Sequence, residues 1–276
     1  MAEDTEEALT LSPSALAALG EFYAERDAQA EKLAKLKALV GTDIDGDDDH
    51  STAREITDGE GRGAGGGTIG KGQEPTGPEL SIHTFTEDWN ESQFWYSDET
   101  ANLLAAQLLD GTDDDSVIAV VSTPSAFVAL KKILSAPGYS GPNPKTYLLE
   151  HDHRFAVFPE FVFYDFAQPF KLPANLKGSV DRMICDPPFL SEDCQTKMAM
   201  TLNWLARVRS RPNPSRVAIC TGERMEDLVL RLYRSLGVKT TSYEPAHPGL
   251  KNEFCCYANF ECEAWRWRQK DAEKGG

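Results

Sequence analysis

Asp186-Pro187-Pro188-Phe189 follows a short apolar run at 180–185, which holds Asp181 and Arg182 within it, and precedes a predicted helix. Each proline fixes its own φ and biases the residue before it away from helical backbone, so the tetrapeptide stays extended where the strand ends. Neither proline has an N–H, which leaves nearby carbonyls free to accept from another group. Asp186 adds a carboxylate acceptor and Phe189 a flat π face. Such a cradle suits a planar or tetrahedral nitrogen that must aim its lone pair at an electrophile. The competing reading is a strand terminator in front of a helix N-terminus.

Other strand ends also carry polar groups. The first predicted strand, 117–122, runs into Ser122-Thr123-Pro124-Ser125. Dinucleotide-type sites place glycines here, and this chain has none. Hydroxyls and a helix N-terminus could still hold a carboxylate, or the segment is an ordinary turn and cap. Glu150 ends the second strand, 146–150, where an acid can accept both hydroxyls of a ribose. Asp165, at the end of the third strand, 161–166, is placed to accept from an adenine amino group. Ligands of open α/β sheets bind at the carboxyl ends of strands, so acceptors at strands two, three and four suit a nucleoside-bearing cofactor. Upstream, Phe94-Trp95-Tyr96 cannot all face one core. Trp95 and Tyr96 could cover the cofactor and Phe94 line an amine channel, or the three could plug the space beside the sheet. Asn252 and Glu253, before the last strand, face a substrate channel or form a turn.

The elements that must position these residues alternate. Strands are predicted at 117–122, 146–150, 161–166, 180–185, 217–221, 238–243 and 254–260, and helices at 99–109, 126–134, 192–207 and 225–236. Strands alternating with helices imply a doubly wound, mostly parallel α/β sheet, and two late strands without a long helix between them imply an antiparallel pair at its edge. Residues 1–40 form a helical arm, with Ser12-Pro13 as cap and first helical position and leucines at helical spacing. Residues 41–79, rich in Gly and Asp, have too few large apolar side chains to offset the entropy of ordering and form a disordered linker. The main domain covers 80–264, and 265–276 is a polar tail.

Composition narrows the classes. The chain has 276 residues and a formal net charge of −16. Residues 1–80 carry 18 acids and 7 bases, a net of −11, and 81–276 carry 26 acids and 21 bases, a net of −5. No basic stripe is present beyond a short loop at 207–216, so nucleic acid is not the expected partner and a basic protein surface is. No apolar run is long enough to cross a membrane, and the acidic start lacks the apolar core of a secretory signal. A cytosolic or nuclear protein is the expectation. The six cysteines form no C-x-x-C pair and are read as free thiols. His151 and His153 have no matching cluster, so no zinc site is expected. The Asp43-x-Asp45-x-Asp47 pattern has Gly46 at position 4 and Glu55 one place late for a calcium loop.

The Asp-Pro-Pro-aromatic turn resembles motif IV of amino-methyltransferases. SQFWYS at 92–97, VSTPSAF at 121–127, Arg154-Phe155-Ala156, FVFY at 161–164, DPPFLSE at 186–192, Cys220-Thr221-Gly222 and Asn252-Glu253-Phe254 occur in the order of one family. The chain resembles the eukaryotic protein-lysine N-methyltransferases that modify elongation factor 1-alpha, a family earlier labelled N6-adenine DNA methyltransferases. The resemblance spans about 11–40 and 82–262, with the segment 41–79 as an insertion. It implies a class I, seven-stranded Rossmann-like methyltransferase domain with an N-terminal helical arm. It also implies S-adenosyl-L-methionine as cofactor and a lysine of elongation factor 1-alpha as substrate. An adenine-N6 methyltransferase and a non-catalytic binding module are the alternatives.

Overall fold

The computed structural model describes residues 80–87, 93–207, 214–250 and 253–269, together with helical positions between Ala24 and Ala38. The 41–79 linker, most of the 1–40 arm, Ser92, Asn252 and the tail beyond 269 lie outside the described residues. The chain divides into two units, Met1–Glu79 and Leu80–Gly276. In the first, Ala24, Asp27, Ala28, Glu31, Ala34, Lys35 and Ala38 form an exposed helical face. Glu31 and Lys35 pair across one turn at 2.8 Å.

The second unit holds a seven-stranded sheet. β1 (Val117–Val121), β2 (Lys145–Glu150), β3 (Phe161–Phe163), β4 (Arg182–Cys185), β5 (Arg216–Gly222), β6 (Lys239–Thr240) and β7 (Phe254–Ala258) lie in the order 3-2-1-4-5-7-6. β1 to β5 are mutually parallel, and β7 runs antiparallel between β5 and β6. This is the mostly parallel, seven-stranded α/β sheet with an antiparallel pair at its edge that the sequence led one to expect. Short runs of Val, Ile, Leu and Ala form the central strands because helices cover both faces.

Successive strand residues point to opposite faces. One face, with Ala119, Val121, Leu149, Met183, Cys185, Val217 and Ile219, packs on Cys194, Met198 and Leu202 of α3 (Glu192–Leu205) and on Val229 of α4 (Glu226–Leu232). The other presents Ile118, Val120, Leu148 and Ile184, all buried, toward α1 (Asp98–Leu109) and α2 (Pro124–Leu134), which pack on each other. Local signals start the helices. Ser97 Oγ accepts from Thr100 N at 3.2 Å, Ser191 Oγ accepts from Cys194 N at 3.3 Å, and acids fill the first turn of both α1 and α3.

Asp181, the acid inside the apolar run, accepts from Val117 N at 2.9 Å and from the Arg207 guanidinium at 2.6 Å. It ties β1 to the end of the α3 connection at the edge of the sheet away from the strands' C-terminal ends. The expected helix 192–207 stops at Leu205 because Ala206 bridges Val180 and Arg207 N donates to Val180 O. The expected helix 225–236 divides into α4 and a 3₁₀ turn, Arg234–Leu236, closed by Gly237 at φ +78°, a left-handed C-cap that favours glycine.

Packing also continues past residue 264. Trp265 is 1% exposed, donates its indole N–H to Phe260 O at 2.9 Å and sits against Tyr243. Trp267 bridges Thr241, and Arg268 N donates to Thr240 O at 2.8 Å. Residues 265–268 therefore belong to the folded domain rather than to a polar tail, because the buried Trp265 indole lines a small cavity with Leu104 and Leu108 of α1, Ile184 and Ala218. Trp265→Ala is expected to lower unfolding stability by about 3 kcal/mol. An unchanged denaturant midpoint would show that this segment is not part of the core.

Candidate active site

The C-terminal ends of β1 to β5 share one edge of the sheet. β7 is antiparallel, so it begins at that same edge, and the loop leading into it opens beside the others. Strand order reverses between β1 and β4, which is where open α/β sheets bind ligands. A cleft of about 620 Å³ lies there, within the size range of small-molecule and cofactor sites.

Asp186, Pro187, Pro188 and Phe189 line this cleft directly after β4. Tyr96 donates its hydroxyl to Asp186 Oδ2 at 2.7 Å, and Asp186 N donates to Val121 O at 3.2 Å. The buried Gln195 of α3 donates to Thr221 Oγ1 at 3.1 Å and to Phe189 O at 3.4 Å, fixing the turn from behind. Phe189 is 42% exposed and meets Phe166 edge-on at 5.8 Å. Burial pushes the Asp186 carboxyl up to about 7; the Tyr96 hydroxyl opposes that rise and the Glu150 charge adds to it.

Glu150 ends β2 and is 6% exposed. Its Oε1 accepts from His151 N at 2.8 Å and Asp152 N at 3.1 Å. Burial raises it to about 7 against the pull of those two N–H groups. With Oε1 committed to backbone, Oε2 is left to accept from a ligand.

Ser122, Thr123, Pro124 and Ser125 line the cleft after β1. Ser122 holds φ +51°, a left-handed conformation that costs a non-glycine residue about 1 kcal/mol. Its N–H donates to Leu149 O at 2.9 Å, tying the turn to β2. The Thr123 hydroxyl turns back to Val121 O at 2.9 Å, and Ser125 Oγ accepts from Tyr96 N at 3.2 Å. Pro124 brings no N–H to the start of α2, and Thr123 O accepts from the N–H groups of Ala126 and Phe127. The segment thus supports its neighbours through most of its polar groups. Asp165 also lines the cleft, yet its two oxygens accept from Ala167 N at 2.8 Å and Gln168 Nε2 at 3.0 Å, closing its own turn.

The aromatic triplet divides its work. Trp95 is buried, donates its indole N–H to Phe85 O at 2.8 Å and meets Phe155 edge-on, so most of it serves as a plug. Tyr96 reaches Asp186, and Phe94 borders the cleft. Glu253 is exposed and is not among the cleft-lining residues; its carbonyl accepts from Glu223 N at 2.9 Å, because the strand it precedes turns Phe254 inward instead. His151 and His153 flank the ring of Phe163.

Sequence reasoning missed three contributors. Arg154 donates to Asp152 Oδ2 at 2.7 Å, to Gln93 Oε1 at 2.8 Å and to Thr86 O at 3.1 Å, lashing the segment before Tyr96 to the end of β2. His247 and Leu250 line the cleft from the loop before β7. The signal for that loop is Pro245-Ala246-His247-Pro248, a polar residue between two prolines ahead of an antiparallel strand. It becomes readable only when the sheet order is known.

Residues 87–262 match the family described as Probable N6-adenine methyltransferase. Protein-lysine N-methyltransferase EFM5 of Saccharomyces cerevisiae is 37% identical over 94% of this chain and 94% of its own. EEF1A lysine methyltransferase 1 of Homo sapiens is 33% identical over 94% of this chain and 95% of its own. Protein-lysine N-methyltransferase M142.8 of Caenorhabditis elegans is 37% identical over 65% of this chain and 81% of its own. The family match takes in every described residue of the cleft. A chain so similar to these relatives over nearly its whole length belongs to their family, the protein-lysine N-methyltransferases.

Proposed function

We propose that the protein moves the methyl group of S-adenosyl-L-methionine to a lysine of elongation factor 1-alpha. The observation that carries this reading is the Tyr96-held Asp186, at the head of the Pro187-Pro188 turn and in one cleft with Glu150. Names borne by the relatives supply the substrate, and a translation factor as substrate implies a cytoplasmic reaction.

Bound S-adenosyl-L-methionine supplies an electrophilic methyl group on a sulfonium. Glu150 would hold the ribose hydroxyls through Oε2. Ser122, Thr123, Pro124 and Ser125 would border the methionine end, and Trp95, Tyr96 and Asp165 the rest of the nucleoside. Two nearby carboxyls, each pushed up by burial, favour a cationic occupant, because a positive charge between them relieves both.

A free lysine amine has a pKa of about 10.4 and must lose a proton before its lone pair is available. Removal from water in an aromatic-lined cleft lowers that value. Asp186 and the Pro187 carbonyl accept from the amine N–H groups and so aim the lone pair. Asp186 takes the departing proton or passes it to water. Phe189 offers its exposed face to the methylene stem and to the cation. The net charge of −5 over 81–276 suits a basic protein surface better than a phosphate backbone, which disfavours an adenine in nucleic acid.

The deciding experiment offers radiolabelled cofactor, elongation factor 1-alpha and an unmethylated DNA duplex in parallel. Label on a lysine of the protein is expected; label on DNA alone would replace the reading with the adenine one. Asp186→Ala is expected to lower the transfer rate by about a hundredfold or more while cofactor affinity, read by calorimetry, stays within a few-fold. Glu150→Gln should weaken cofactor binding about tenfold, the loss of a charge-assisted hydrogen bond. Asp186 can take the departing proton only as a carboxylate, so kcat/KM should rise with pH through about 7. The Tyr96 hydroxyl stabilises that carboxylate, so Tyr96→Phe should move this limb to higher pH; a limb that stays in place would remove Asp186 from the titrating role.

A further inference from the structure

Arg224 follows β5 in the 3₁₀ turn Glu223–Met225 and lines the cleft. It is exposed, and its guanidinium has no hydrogen-bond or ion-pair partner among the described residues. Arg154, also in the cleft lining, is by contrast committed to Asp152, Gln93 and Thr86. The acids nearest Arg224 in sequence are engaged elsewhere. Glu223 Oε1 accepts from the Arg268 guanidinium at 2.5 Å, and Glu226 Oε1 accepts from Thr240 Oγ1 at 2.5 Å.

The backbone that carries Arg224 is fixed on two sides. Tyr257 donates its hydroxyl to Glu223 O at 3.3 Å, and Glu223 N donates to Glu253 O at 2.9 Å, which ties the turn to β7 and its approach. On the other side lies the Asp186 turn. A Cβ at Gly222, the last residue of β5, would stand 3.1 Å from the nearer methyl of Leu190, which also lines the cleft. Gly222 has ordinary backbone angles, φ −60° and ψ 138°, so its missing side chain serves this close approach rather than a turn. The strand order 3-2-1-4-5 then puts Arg224 on the side of the cleft made after β4 and β5, and Glu150 on the side made after β2.

Charge around the cleft is therefore divided. The carboxyls of Asp186 and Glu150 lie within it, and an uncommitted guanidinium borders it beside the Asp186 turn. A lysine with a carboxylate next to it answers both, and the planar fork of arginine matches a carboxylate through two parallel hydrogen bonds. We propose that Arg224 binds a carboxylate side chain that stands beside the target lysine on the protein substrate, and so helps choose which lysine enters the cleft. The proposal rests on the lysine reading given above. S-adenosyl-L-methionine also carries a carboxylate, but in that reading its methionine end borders the turn after β1, two strands from β5.

The test assays wild type, Arg224→Ala, Arg224→Lys and Arg224→Glu on full-length elongation factor 1-alpha. Arg224→Ala is expected to raise KM for the protein about fivefold and Arg224→Glu about twentyfold, since an exposed ion pair is weak and its reversal is repulsive. The value of kcat at saturating protein should stay within about twofold, the pattern of a lost binding contact. Cofactor affinity, read by calorimetry, should not change, and Arg224→Lys should recover part of the loss. The acids around the labelled lysine are then changed to arginine one at a time. One such substrate should be methylated poorly by wild type, and faster by Arg224→Glu than the unaltered substrate is. A wild-type KM in Arg224→Glu, or no substrate that reverses the preference, would overturn the proposal and leave the lysine reading standing. Weakened cofactor binding by Arg224→Ala would also overturn it, by assigning the guanidinium to the cofactor's own carboxylate. A wild-type enzyme that labels no lysine would overturn both.

Discussion

The hydroxyl of Tyr96 and the carboxylate of Asp186 are 90 residues apart in sequence and 2.7 Å apart in the fold. That hydrogen bond needs three things at once. The β4 strand must end at the switch point, the segment before α1 must cross over it, and the space between must be dry enough for the bond to matter. Ser125 meets the second condition by accepting from Tyr96 N, and the Arg154 tie secures the segment further upstream. Gln195 meets the first from below. Removal of any one of these supports would leave the carboxylate in place and its orientation undefined.

Burial of two carboxyls in one cleft works against folding of the protein alone, since each would be better solvated outside. Backbone N–H groups soften the penalty at Glu150, and a phenol softens it at Asp186. Neither receives a buried arginine or lysine as a direct hydrogen-bond partner among the described residues; Arg154 goes to Asp152 instead. Arg154 and Arg224 also line the cleft, and the Arg154 charge offsets part of the rise at Glu150, so the deficit lies chiefly at Asp186. A sulfonium cofactor and an ammonium substrate both fit that deficit.

Much of the fold was legible because local rules agreed with one another. VIAVVS, TYLLE and VAICT read as strands by their apolar runs, whereas the caps Ser97 and Ser191 were found only in the structure. Asp186 and Glu150 were legible as strand-end acids. Asp165 was legible as a strand-end acid of the cleft, whereas the Asx-type closure of its own turn is a further use that sequence does not rank. His247 and Arg154 were not legible, since their partners lie across the sheet or 60-odd residues away. Trp265 sat in an otherwise charged stretch, and only tertiary packing beside α1 and the central strands shows why a large ring stands there.

β7 enters between β5 and β6, although it comes last in the chain. Residues 93–190 supply the part of the cleft made by β1, β2 and β4, whereas His247, Leu250 and Phe254, from the last loop and the start of that final strand, are needed to complete it. The chain is therefore synthesised almost to its end before the cleft can close. The same insertion makes β6 dependent on β7, so a chain stopped before residue 254 would leave β5 with an open edge, a surface that invites pairing with other chains. Full-length synthesis therefore governs both when the enzyme becomes competent and whether its sheet stays soluble.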